Sequence, residues 1–171
     1  MPRFKFAYVL LLLLDHVHQL AAMEHPPTAY RRAVRRTLLT CGPCDQRLTL
    51  TGHTSWVSAV AAFPDGLSVV TGSEDKTAIV WNAATGERRL NLTGHTTLVT
   101  AVAVFPDGLS VLTGSSDKSA IIWDATTGES RRTLTGHSRG VTGVAVFPDG
   151  LSVVTCSYDT TAISGGASTG D

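Results

Sequence analysis

Several functional classes are excluded by what the chain has little of. Charged residues make up only 16% of its 171 residues, and acids and bases cancel at 14 each. That balance provides no net field to attract a polyanion. The distribution is uneven, since residues 1–47 hold seven Lys/Arg against three Asp/Glu and residues 48–171 hold seven against eleven. The larger part is therefore mildly acidic, has no basic stripe, and is not expected to bind nucleic acid. Cysteine is scarce: Cys41, Cys44 and Cys156 are too few, and odd in number, for a disulfide framework. Long apolar runs are missing as well. The run Ala7–Leu14 stops at Asp15, far short of the ~20 residues needed to cross a ~30 Å hydrocarbon core, so no transmembrane span is expected. With 43% hydrophobic residues the composition is still that of a folded chain, long enough for one domain with a sizeable core.

Residues 1–46 read as a leader, helical or disordered. Its start is basic (Arg3, Lys5), its centre is short and apolar, and Leu20-Ala21-Ala22 has the form of a cleavage site. The layout resembles a secretory signal, and the alternative is a short amphipathic or buried helix. Tyr30-Arg31-Arg32-Ala33-Val34-Arg35-Arg36 reads as a short, solvated basic helix. Cys41-Gly42-Pro43-Cys44 has the spacing of thioredoxin-like redox sites, which need a helix N-terminus to lower the thiol pKa. Only Asp45 and Gln46 separate it from the first expected strand, which leaves no room for that helix. No second Cys/His pair stands at zinc-finger spacing, so no metal is expected.

What the chain does have is a repeat. Thr-Gly-His recurs at 51–53, 93–95 and 135–137, and Phe-Pro-Asp-Gly at 63–66, 105–108 and 147–150, a period of 42 residues. The first two units agree at 29 of 42 positions. Within a unit, short β-rich runs alternate with turn signals. Val57–Phe63 is followed by Pro64-Asp65-Gly66, Leu67–Thr71 by Gly72–Lys76, and Thr77–Trp81 by Ala84-Thr85-Gly86, before Arg88–Leu92. The pattern predicts four-stranded antiparallel meanders, and nothing in 48–171 keeps a helical period. Self-similarity at this period is that of a propeller blade.

Gly52-His53, Thr71-Gly72-Ser73, Asp75 and Trp81, then Gly94-His95, Thr113, Asp117 and Trp123-Asp124, resemble WD40 repeats over residues 47–171. The units are 51–92, 93–134 and 135–171. Two departures stand out: Asn82 follows Trp81 where Asp is usual, and the third unit has Gly165-Gly166 in place of Trp-Asp. The resemblance implies an all-β partial WD40 β-propeller of three four-stranded antiparallel blades, the last incomplete. It also implies a structural tetrad in each blade: His53, Thr71, Asp75 and Trp81; His95, Thr113, Asp117 and Trp123; and His137, Thr155 and Asp159 without the tryptophan. In that relay the indole N–H donates to the threonine, the threonine to one histidine nitrogen, and the other histidine nitrogen to the aspartate. The Thr/His/Asp trio could also suggest an activated nucleophile. Its threefold recurrence at a fixed period favours a structural lock, so no catalytic residues, no enzyme activity and no cofactor are expected.

Comparing the units with one another marks where they vary. Ser55-Trp56 becomes Thr97-Leu98 and then Arg139-Gly140, while Glu74 becomes Ser116 and then Tyr158. Family geometry places both loops on one rim, which implies a partner-binding rim of Ser55, Trp56, Glu74, Thr97, Leu98, Ser116, Arg139 and Tyr158. The resemblance thus implies an interaction scaffold for protein or peptide partners, cytoplasmic, and a fragment of or a subunit related to a larger repeat protein. The alternative is a thiol-redox enzyme or secreted binding module using Cys41/Cys44. Three blades do not close a ring. Arg47–Thr51 could supply the third blade's missing strand, or two chains could self-associate to complete a ring.

Overall fold

The computed structural model describes residues 48–167. Eleven strands form three antiparallel sheets. The first contains β1 (Val57–Ala62), β2 (Ser68–Ser73), β3 (Thr77–Asn82) and β4 (Arg88–Thr93). The second repeats it with β5 (Val99–Val104), β6 (Ser110–Ser115), β7 (Ala120–Asp124) and β8 (Ser130–Leu134). The third holds β9 (Val141–Val146), β10 (Ser152–Ser157) and β11 (Ala162–Gly166). Each sheet is ordered as a meander, every strand beside its neighbour in sequence. The reason is local. Runs of alternating valine, alanine and threonine favour extended backbone, and the turns between them carry residues that accept left-handed φ. Gly66, Gly108 and Gly150 take φ 67°, 70° and 69° in the Pro-Asp-Gly turns, where Asp65, Asp107 and Asp149 each accept the N–H two residues on.

The three sheets stack face to face in chain order, β5 against β1 and β2, and β9 against β5 and β6. Two apolar layers fill the interfaces. Phe63, Val70, Ala78, Val80 and Leu92 of the first blade pack on Val111, Ile121 and Trp123 of the second. Phe105, Leu112, Ala120 and Ile122 of the second pack on Val153 of the third. Close approach depends on glycine at one position in each of the first two blades. A Cβ on Gly72 would stand 2.7 Å from Val99 Cγ1, and one on Gly114 2.7 Å from Val141 Cγ1. Such contacts are too short for carbon atoms, so only glycine lets the next blade seat its valine. Polar staples cross the same interfaces. Ser58 Oγ donates to the Val99 carbonyl, and Thr100 Oγ1 donates to that of Val141 at 2.6 Å.

Arg47–Thr51 could have supplied the third blade's fourth strand; its described residues do not. Among the described residues, 48–51 have no strand pairing, and β11 pairs only with β10. The side chain of Leu48 lies beside Gly86, in the β3–β4 turn of the first blade. The stacking order gives the reason. The second blade stands between the first and the third, so a segment that leads into β1 is on the wrong side to complete β11. The leader, with its apolar run, basic segment and Cys41/Cys44 pair, lies outside the described residues.

Candidate functional site

Two sets of side chains stand out, a polar relay inside each blade and a row of variable loops on one rim. The relay is built from four elements of one blade. His53 precedes β1, Thr71 sits on β2, Asp75 in the β2–β3 turn and Trp81 near the end of β3. Antiparallel pairing sets Thr71 opposite Ile79 and Val69 opposite Trp81, so the threonine and the indole share a face. Trp81 Nε1–H donates to Thr71 Oγ1 at 2.8 Å. His53 Nε2 is 2.8 Å from that hydroxyl, and His53 Nδ1 is 2.8 Å from Asp75 Oδ2. A carboxylate only accepts, so Nδ1 carries the proton, Nε2 accepts, and the threonine hydroxyl donates to it. The second blade repeats the relay with His95 at 2.7 Å from Thr113 and 2.8 Å from Asp117, and Trp123 at 2.8 Å from Thr113. In the third, His137 is 2.9 Å from both Thr155 and Asp159, and Gly165 takes the place of the tryptophan opposite Val153.

The aspartate gathers more donors than the sequence reading assigned. Asp75 Oδ1 accepts the hydroxyl of Thr77 at 2.6 Å and its N–H at 3.0 Å, while Oδ2 accepts the Thr54 N–H at 2.9 Å. Ser119 and Thr161 hold the equivalent place beside Asp117 and Asp159. A second hydroxyl, that of Ser73, accepts the Asp75 N–H at 3.1 Å and donates to the Ser55 carbonyl. The signal was present: a hydroxyl residue two places after each aspartate recurs at the 42-residue period. These bonds shape the electrostatics. Burial works against ionising Asp75, but the hydrogen bonds from Thr77, Thr54 and His53 outweigh it and hold the carboxyl below the usual carboxylate range. Asp117 is lowered in the same way, burial again opposing and Ser119 and His95 prevailing. At Asp159 the Thr161 hydroxyl is the leading cause of a similar lowering. Among the described residues no buried side-chain nitrogen or oxygen lacks a hydrogen-bond partner. The bonds tie the segment before the first strand of each blade to its second strand and to the turn that follows.

Asn82 does the work of the missing aspartate. Its Oδ1 accepts the N–H groups of Ala84 at 2.9 Å and Thr85 at 3.1 Å, as Asp124 Oδ1 accepts those of Thr126 and Thr127 at 2.7 and 2.9 Å. An amide oxygen serves that turn as well as a carboxylate. Asp124 differs in reaching Arg131, at 2.6 Å. The Thr127 N–H first, and then Arg131, bring its pKa down to about 2.

The variable loops meet in pairs. The Glu74 N–H donates to the Trp56 carbonyl at 2.9 Å, Ser116 to Leu98 at 3.1 Å, and Tyr158 to Gly140 at 3.1 Å. Each blade thus ties its entry loop to its β2–β3-type turn, and the stack sets the three pairs side by side. Trp56 is 79% exposed and Tyr158 68%. Ser55, Glu74 and Arg139 are also exposed, and Thr97, Leu98 and Ser116 are half-buried. Among the described residues no His/Cys/Asp/Glu cluster could hold a metal ion, and no helix is long and apolar enough to cross a membrane.

Stacked antiparallel meanders, each holding a Thr–His–Asp set at constant spacing and the first two also its tryptophan, define a propeller-repeat protein. The WD domain, G-beta repeat family matches residues 44–82, 86–124 and 128–163, and the chain belongs to that family. It is 42% identical to the Small ribosomal subunit protein RACK1z of Arabidopsis thaliana over 45 residues, 26% of this chain and 14% of that protein. It is 51% identical to Protein Mut11 of Chlamydomonas reinhardtii over 39 residues, 23% of this chain and 10% of the relative. It is 50% identical to Lissencephaly-1 homolog 1 of Paramecium tetraurelia over 34 residues, 20% and 8% of the two chains. The chain spans about a seventh or less of the length of these curated relatives.

Proposed function

We propose that this chain is a protein-interaction scaffold that presents a rigid rim to protein or peptide partners, and that it is not an enzyme. The observation that carries the reading is the pairing of loops on the rim. The blades differ at these loops, where backbone hydrogen bonds hold Trp56 beside Glu74, Leu98 beside Ser116 and Gly140, next to Arg139, beside Tyr158. Large aromatics and arginine on a pre-ordered surface are the residues that anchor interfaces at low entropic cost. The His/Thr/Asp sets act in this reading as the frame that holds the rim. One relative is named as a component of the small ribosomal subunit, which accords with membership of assemblies. A cytoplasmic location goes with an exposed free thiol at Cys156. The small share of each relative that is matched accords with kinship to a longer repeat protein.

Self-association of two chains into a ring meets an obstacle within this scheme. A second copy would have to seat its Val57 against Cys156, where the other two interfaces require Gly72 and Gly114. Partner binding at the rim needs no such closure. The test is a random peptide library panned on the full chain. Recovered peptides should bind W56A/Y158A at least about tenfold more weakly, as expected when aromatic anchors are lost. The variant's melting temperature should stay unchanged. Peptides indifferent to both substitutions, or no peptides at all, would remove the rim from the proposal.

A further inference from the structure

The third blade departs from its siblings at the place where the relay begins, and the departure leaves a shaped cavity. A space of about 280 Å3 opens between the second and third blades. Its walls include Ala120, Leu134, Val153 and Ile163, with Thr155 and Gly165 at its inner side. Subtracting the 42-residue period gives Ala78, Leu92, Val111 and Ile121, the residues that pack together with the Trp123 indole one interface earlier. The four wall residues are identical in type to their counterparts. The cavity thus lies where the sister blades hold a tryptophan, lined also by Arg132 and His137 and bordered by a more exposed Ile163, with Gly165 at the tryptophan position, where an added Cβ would meet nothing within 4 Å.

The polar group that reads an indole is kept too. Thr155 is 6% exposed, and its hydroxyl donates to His137 Nε2 at 2.9 Å. In the sister blades the same oxygen also accepts an indole N–H at 2.8 Å, and the histidine edges the ring at 6.2 Å between centroids. We propose that this cavity is a binding site for an indole group, a flat bicyclic aromatic that inserts between the second and third blades and donates its N–H to Thr155 Oγ1. An apolar cavity of ~150 Å3 already accepts benzene, so the space suffices for a second fused ring. Nothing in the rim-binding reading depends on it.

The test is calorimetric melting of the full chain with indole, 1-methylindole and N-acetyltryptophanamide. Indole should raise the melting temperature with dose, by about 5 °C at tenfold excess over its dissociation constant. 1-Methylindole, which keeps the shape and loses the donor, should bind at least about fivefold more weakly. Gly165→Trp should raise the melting temperature without ligand and abolish the response to indole. Should that variant not fold, intermolecular NOEs on the native chain decide instead, with indole protons expected at the Leu134 and Val153 methyls. A response to N-acetyltryptophanamide as strong as to indole assigns the site to a tryptophan side chain of a partner segment; a response to indole alone assigns it to a small molecule. No response to either overturns the proposal. So does an equal response to 1-methylindole, or NOEs confined to other methyls.

Discussion

The second and third blades share a sequence pattern and differ in how completely they are finished. Both place Thr, His and Asp within hydrogen-bond reach, and both present a valine, Val99 or Val141, buried against the blade before. The second has a fourth strand and Trp123; the third has Gly165 and an open β11 edge among the described residues. Their outgoing faces differ as well. Gly114 and Ile122 in the second become Cys156 and Ser164 in the third, at the positions that meet a following blade. Thr100 donates to Gly114 of its own sheet and also to Val141 of the next blade, whereas Thr142 shows the own-sheet bond to Cys156 without a cross-blade one among the described residues. A repeat with neighbours on both sides is held by apolar contact and glycine-permitted closeness. The third blade, packed on one face among the described residues, keeps the His–Thr–Asp contacts without the tryptophan. The relay therefore shapes a blade, and stacking supplies the greater part of its burial.

Five changes would break or sharpen that contrast. Trp123→Gly, which makes the second blade like the third, should cost about 3–5 kcal/mol in urea unfolding. A loss well below ~1 kcal/mol would mean the indole is not what separates the two blades. Gly114→Cys copies the third blade's outgoing face and drives a Cβ to 2.7 Å from Val141 Cγ1, an overpacking expected to cost about 1–3 kcal/mol. The converse, Cys156→Gly, should change stability by less than about 1 kcal/mol, since among the described residues its thiol meets Thr142 and Gly143 of its own sheet and no valine of a following blade.

Acid should weaken the blades through their aspartates. Asp75, Asp117 and Asp159 have folded-state pKa values below the ordinary carboxylate value. Stability from a lowered carboxylate is complete above the unfolded value, near ~3.9, and is lost as pH falls through and below it. Melting followed from pH 6 to pH 2.5 should show that limb, and Asp117→Asn should make it shallower by about one proton. A limb of unchanged steepness would remove Asp117 from the titration. The smallest effect belongs to Thr160. It stands at φ 69°, where the equivalent residues are Lys76 and Lys118, and a β-branched side chain is strained there. Thr160→Asn should stabilise the third blade by about 0.5–1 kcal/mol, read by thermal melts.

Much of this architecture is legible in the chain because it is local. The strand expected over Thr77–Trp81 forms as Thr77–Asn82, and that over Leu67–Thr71 as Ser68–Ser73, since turn residues and apolar alternation act within a few positions. The loops of the proposed rim are marked by their change from unit to unit, a signal they share with positions such as Arg88 and Leu90. The aspartate's extra donors, Thr77, Ser119 and Thr161, were overlooked because a threonine in a β-rich run reads as strand-forming before it reads as a hydrogen-bond donor. The displaced role of Arg47–Thr51 escaped for a different reason. Likeness to an outer strand says which partner would suit it but not whether that partner is within reach.

The 42-residue period, with its hydroxyls, histidines and aspartates, determined by itself that each unit would fold into a small antiparallel sheet. Its pairings span few residues and its turns carry their own φ preferences. Only the tertiary structure decided what each sheet faces. Val57 is 55% exposed and Val99 is fully buried, though the same residue stands at the same point of the repeat. Burial depends on which surface a neighbour covers, and no residue carries that in its own identity.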